Sequence, residues 1–188
     1  MGKGLDRKKA KKSQARTGGG KGVGSSPAAA VAVAAAEPLV ALQDITDKDG
    51  FLAAFEQYRK AKAPRKVFQA FESAKKKETE GLADLAAEAV KAELKLSRGD
   101  LSRNIIDSFG TKQWDAWLAT NLEGAQAVVR CACAASDPVL AEEMIEKAGF
   151  SCGAAGGLMG ERADAAASVY PNLITAYSRN SKRGDAMR

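Results

Sequence analysis

From Asp47 onward, apolar residues recur at steps of three and four, the period of an amphipathic helix. Phe51, Leu52, Phe55 and Tyr58 form one such stripe. Pro64 suits the first turn of the next helix, whose stripe is Val67, Phe68 and Phe71. Gly81 precedes a third helix with Leu82, Leu85, Ala89 and Val90 on one side. Ser97-Arg98-Gly99-Asp100 reads as a turn, with Asp100 capping the helix that carries Leu101, Ile105 and Ile106. Gly110 ends that helix, and Thr111 is placed to cap the next, which carries Trp114, Trp117 and Leu118. Val128 and Val129 lie on a following apolar helix. Asp137-Pro138 is the sharpest boundary in the chain: Asp caps and Pro takes the first helical position. Leu140, Met144, Ile145 and Ala148 continue that helix, and Gly149-Phe150 fits a left-handed C-terminal cap with its hydrophobic contact. Ser151–Gly160 reads as a Gly- and Ala-rich loop, and Pro171 opens a last helix through Leu173, Ile174 and Tyr177. No stretch alternates apolar and polar residues convincingly, and β-branched residues are sparse. The pattern predicts an all-α fold of short antiparallel helical hairpins, arranged as an α-solenoid or an irregular helical bundle.

Upstream of Asp47 the period fades. Residues 1–26 are Lys, Gly and Ser with few apolar groups. Such a segment cannot bury enough surface to offset the entropy of ordering it, so the expectation is a disordered tail. Residues 27–38 form an Ala-rich linker bounded by Pro27 and Pro38, and Leu39–Leu42 begins a short helix. The division is therefore a basic tail with linker over 1–38 and a helical-hairpin domain over 39–188. Charge follows the same division. Residues 1–22 hold eight basic residues against Asp6 alone, or +7, while the whole chain is +6, which leaves −1 over residues 23–188. A polycationic segment attracts polyanions by counterion release without reading their sequence, which makes Lys8, Lys9, Lys11, Lys12 and Arg16 candidate nucleic-acid contacts. A solubilising or targeting role is the alternative for the same residues.

Candidate chemistry is thin. The chain has no His, so the commonest general base is missing, and nothing marks a carboxylate or Lys pair for catalysis. Three cysteines, Cys131, Cys133 and Cys152, do not make a disulfide framework and suit a reducing compartment. Cys131 and Cys133 are two apart on a helix and so point to different sides, as packing residues would. The compartment expected is intracellular, with cytoplasm, nucleus and organelle all open. Ala28–Ala36 holds only Ala and Val, a poor signal-peptide core, and no run approaches the ~18 apolar residues of a membrane span. Asp47-Lys48-Asp49-Gly50 with Leu52 and Glu56 has the spacing of the middle and end of an EF-hand loop. Its first ligand position falls on Ile45, so a helix N-terminus is the simpler reading. The glycines of Gly18–Gly24 lack the Gly-Lys-Ser/Thr ending of a phosphate loop. Trp114 and Trp117 could stack on bases, although helical spacing makes them core candidates. The expectation is a protein without catalytic residues, metal or cofactor.

Two segments look alike. One runs from Ala127 through Arg130, Asp137-Pro138 and Ala141 to Ile145; the other runs from Asn172 through Ile174, Tyr177, Gly184 and Ala186 to Arg188. Each is an apolar pair, a helix ending in small or polar residues, a turn, and a second helix with Ala at the same place. Both resemble the pentatricopeptide repeat, and Tyr170, Leu173, Ile174, Tyr177 and Ala186 fall where that family places such residues. A weaker third copy centres on Gly99-Asp100-Leu101, with Asn104 in place of the expected Ala. Ala141 and Ala186 are 45 residues apart, against a family period of about 35. The resemblance implies stacked helical hairpins that bind single-stranded RNA, one base per repeat, through a side chain near the start of each first helix. Asn172 occupies that position in the second copy, where its amide would pair with a base edge; Ala127 occupies it in the first and can pair with nothing. RNA or a ribonucleoprotein is therefore the expected partner. A protein-interaction scaffold with a polycationic tail is the alternative, favoured by the near-neutral body.

Overall fold

A computed structural model describes residues 40–151 and 160–186, with side chains described to residue 181. All of them belong to one unit, Glu37–Arg188. The tail over residues 1–26 and the linker over 27–38 lie outside the described residues, as do the candidate contacts Lys8, Lys9, Lys11, Lys12 and Arg16. A single 3-10 turn, Leu42–Asp44, stands where a short helix was expected from Leu39. Eight α-helices follow: α1 Lys48–Lys60, α2 Pro64–Lys76, α3 Leu82–Lys95, α4 Gly99–Phe109, α5 Thr111–Thr120, α6 Leu122–Ala134, α7 Pro138–Lys147 and α8 Glu161–Ala186. Among the described residues there is no strand, and no helix is long and apolar enough to cross a membrane.

Three helix pairs, α1–α2, α3–α4 and α6–α7, are joined by one and the same connection. Each has three linking residues: Ala61–Ala63, Leu96–Arg98 and Ala135–Asp137. The middle residue is left-handed in every case, with φ of 52° at Lys62, 57° at Ser97 and 59° at Ser136. The residue after it donates its N–H to the carbonyl five positions back: Ala63 to Tyr58 at 2.9 Å, Arg98 to Glu93 at 3.0 Å and Asp137 to Ala132 at 3.1 Å. This is the bond that closes a helix through a left-handed residue, and it turns the chain directly into the next helix.

Aligned on those left-handed residues, the three pairs bury the same positions. In the first helices these are Phe51, Ala86 and Ala125; Ala54, Ala89 and Val128; Phe55, Val90 and Val129; Tyr58, Glu93 and Ala132. In the second helices they are Val67, Ser102 and Ala141; Ala70, Ile105 and Met144; Phe71, Ile106 and Ile145. The steps from Lys62 to Ser97 to Ser136 are 35 and 39 residues, and α5 falls within the longer one. The first helices pack in sequence, α1 on α3 and α3 on α6, and α8 continues that layer by packing on α6. The second helix α2 packs on α4, and α5 sits against α4, α6 and α7. Hairpins that cannot bury their faces alone thus share one core by stacking, which is solenoid logic.

Several predicted boundaries move. Asp137 caps α7 as expected, accepting the Leu140 N–H at 3.0 Å, and Gly149 is left-handed with Phe150 N–H on the Ile145 carbonyl at 2.9 Å. Asp100, by contrast, lies inside the first turn of α4, whose cap position is Arg98; its carboxylate is held by the Arg98 guanidinium instead. Thr111 is the first residue of α5, and Gly110, at φ 109°, takes the cap position. Asp47 stands at the cap position of α1 but makes no capping bond, and Ile45, the first-ligand position of the calcium-loop pattern, is buried in the core.

The largest difference is α8. Pro171 opens no helix; it lies within one that runs unbroken from Glu161 to Ala186, so the second hairpin expected over residues 170–188 is not formed. A proline inside a helix removes one hydrogen bond and crowds the preceding turn. Here packing on both sides of it compensates. Ala165, Ala166 and Val169 before it, and Leu173 and Ala176 after it, are all buried. Arg162 anchors the start by donating to the Ala148 carbonyl at 3.0 Å and the Ala119 carbonyl at 2.8 Å. Pro171 and Ala167, the residue four positions before it, are both exposed.

Candidate nucleic-acid interface

The first-helix layer turns one face to the core and the other outward. On the outward face, shallow concavities run between α1, α3 and α6. At the N-terminal end of these helices, Lys48, Asp84 and Trp117 form a linked set. The Lys48 Nζ donates to Asp84 Oδ2 at 2.7 Å, and the Trp117 indole N–H donates to Asp84 Oδ1 at 3.2 Å. The Lys48 hydrogen bond, with help from Trp117, holds the Asp84 carboxyl below the usual carboxylate range. Trp117 stacks on buried Trp114, ring centres 5.3 Å apart and planes 18° from parallel. Gly124 makes this packing possible, because a Cβ there would lie 2.6 Å from the Trp117 ring. Both tryptophans are thus held by the fold, Trp114 fully and Trp117 in part.

Further along the layer, Arg59 and Lys91 each face an acid of their own helix. Arg59 donates to Glu56 through Nε at 2.8 Å and also through Nη2, and Lys91 donates to Glu88. The Arg59 hydrogen bond lowers the Glu56 carboxyl. Exposed pairs of this kind contribute little to stability; here they set the local charge near neutral.

The C-terminal end differs. A concavity of about 450 Å³ is lined by Arg59 of α1, by Leu94, Lys95 and Ser97 at the end of α3, and by Arg130, Cys131, Ala134 and Ala135 of α6. Its lining holds three cations, of which Arg59 is paired with Glu56, a carboxyl that the Lys95 charge also lowers. Burial pushes the Cys131 thiol up, with the Lys95 and Lys91 charges acting against that shift and the Glu88 charge adding to it. Cys133 faces the core, and burial raises its thiol to about 11.

Asn172 is exposed on α8, and its amide donates back to the Ser168 carbonyl of its own helix at 3.0 Å. Ala127 is half-buried on α6. Neither lines the cationic concavity. The residues that do, Arg59, Lys95 and Arg130, were not singled out from sequence. Their steps of 36 and 35 residues do not follow the hairpin steps of 35 and 39, so no repeat signal marked them. Among the described residues, no group of three or more Cys, Asp or Glu is placed to hold a metal ion. No family model, curated protein or solved structure matches this chain.

Proposed function

We propose that this chain is a non-enzymatic helical-repeat protein, resembling pentatricopeptide repeat proteins, that binds single-stranded RNA along its first-helix layer. On this reading the basic N-terminal segment adds sequence-independent affinity. The observation that carries the proposal is the stack itself. Three hairpins in one register present their first helices side by side, and a cation from each, Arg59, Lys95 and Arg130, lines one concavity, with Arg59 alone of the three ion-paired among the described residues. An extended polyanion lying across successive first helices would meet a cation from each, although not at one register position, which suits a repeating backbone.

A second reading is favoured by the ion pairing elsewhere on the layer. Lys48–Asp84, Arg59–Glu56 and Lys91–Glu88 leave much of that face near neutral, as a groove for a partner helix would be. One titration separates the two. Fluorescently labelled single-stranded RNA is titrated with the full chain and with a chain lacking residues 1–26, at several salt concentrations. The RNA reading expects weaker binding after truncation, with base preference retained and altered at one position by Asn172→Ala. Loss of all binding on truncation assigns the affinity to the tail and leaves the body as a protein-binding scaffold. No affinity for RNA even at low salt refutes the proposal.

A further inference from the structure

We propose that the concavity between Arg59, Lys95 and Arg130 is a discrete phosphate seat. The identity of its natural ligand, a phosphodiester of single-stranded RNA, rests on the reading above; its chemistry does not. The competing explanation is that these cations merely complement helix C-termini, where the backbone dipole favours positive charge. That accounts for Arg59 and Lys95, which lie in the last turns of α1 and α3. It does not account for Arg130, because the last turn of α6 carries no basic residue.

Pairing is incomplete at this spot, where Arg59 alone of the three cations has an acidic partner among the described residues. Lys95 is exposed and has neither an ion pair nor a hydrogen bond among the described residues. Arg130 spends one nitrogen on the Ser168 hydroxyl at 3.1 Å, a neutral partner. Arg59 engages Glu56 through Nε and Nη2, which leaves Nη1 available. Two guanidinium groups and an ammonium therefore share one hollow with donors to spare, and the Glu56 carboxylate, which Arg59 binds and the Lys95 charge also reaches, offsets only part of their charge. The floor of Leu94, Cys131, Ala134 and Ala135 is apolar. It strengthens charge-assisted hydrogen bonds above it and offers a surface to a sugar ring. At about 450 Å³ the hollow is of a size to take a nucleotide unit.

Cys131 makes the seat directly testable, because its half-buried thiol lines the hollow while Cys133 faces the core. The full-length chain is treated with iodoacetamide, a neutral reagent, and alkylation of Cys131 is followed by peptide mass spectrometry with Cys133 as internal reference. Two probes are used separately: inorganic pyrophosphate and a short single-stranded oligouridylate. A probe in the seat should slow Cys131 alkylation about tenfold at ten times its Kd, following simple occupancy, without changing Cys133. Arg130→Gln, a surface change, should abolish the slowing by both probes, measured against that variant's own probe-free rate. Lys95→Gln should do the same and lessen the salt dependence of oligouridylate binding, by about 0.7 in the log–log slope. Protection by pyrophosphate without RNA binding upholds the seat and overturns the RNA reading. RNA binding that leaves Cys131 unprotected overturns the seat and leaves the RNA reading standing on the tail or on other parts of the layer. Full protection retained in Arg130→Gln also overturns the seat.

Discussion

Replacing Glu93 by glutamine should flatten the pH dependence of stability between about pH 5 and 8. Glu93 is 0% exposed, and neither carboxylate oxygen has a hydrogen-bond partner. It stands at the register position that Tyr58 fills in the first hairpin and Ala132 in the third, so a carboxyl group occupies a slot built for core side chains. Burial raises it from 4.5 to about 8, with the Arg98 charge acting against the shift and Asp100 adding to it. The sign follows directly. The folded chain keeps this proton to about pH 8, whereas the unfolded chain releases it near 4.5. Below 4.5 both states are protonated and the group costs nothing in linkage. Between the two values each pH unit lowers stability by about 1.4 kcal/mol, or about 3 kcal/mol by pH 7. The loss levels off above pH 8, at about 5 kcal/mol. The window is favourable: Glu56, Asp84 and Glu143 are shifted down and titrate below it, Lys48 and Lys147 are shifted up, and the chain has no His. Urea unfolding followed by far-ultraviolet circular dichroism at half-unit pH intervals gives the measurement. Wild type should lose stability steadily across the window and Glu93→Gln should not. The amide remains a buried polar group, so the slope is the diagnostic rather than the absolute gain. Curves for the two proteins that run parallel from pH 5 to 8 would refute the reasoning.

Other substitutions probe the frame. Pro171→Ala should stabilise α8 by about 1–3 kcal/mol, because it restores a backbone hydrogen bond and relieves crowding inside a continuous helix; an unchanged or lower melting temperature would argue that the helix is broken there. Gly124→Ala should cost about 1–3 kcal/mol, since its Cβ would sit 2.6 Å from the Trp117 ring, and tryptophan emission should shift as the indole is displaced. Asp137→Ala removes the side chain that receives the Leu140 N–H at 3.0 Å and should cost about 1 kcal/mol of chain stability in denaturant unfolding.

What the sequence determined by itself is local. Pro64, Asp137-Pro138 and Gly149 mark helix ends because each acts through its own backbone conformation or a bond a few residues away. The apolar stripes through Phe51 and Phe55, and through Leu140 and Met144, reveal helix and buried face together, because side-chain direction repeats every turn. The basic composition of residues 1–22 is likewise legible without any fold. Tertiary structure decided the rest. Pro171 reads as a helix start from neighbours alone, and only the packing of α8 on α6 and α7, with Val169 and Leu173 buried on either side of the proline, carries the helix through it. Asp100 and Thr111 are good capping residues whose neighbours took the cap positions, since Arg98 and Gly110 lie where the chain turns between packed helices. Glu93 looks like an ordinary polar residue of α3 until the stacking of three hairpins shows that its position is core in each. Arg59, Lys95 and Arg130 lie about 35 residues apart and become one cationic hollow only when α1, α3 and α6 stand side by side. Helix ends and faces depend on interactions within a few residues, whereas a site assembled from successive hairpins depends on their stacking, which side chains far apart in the chain determine together.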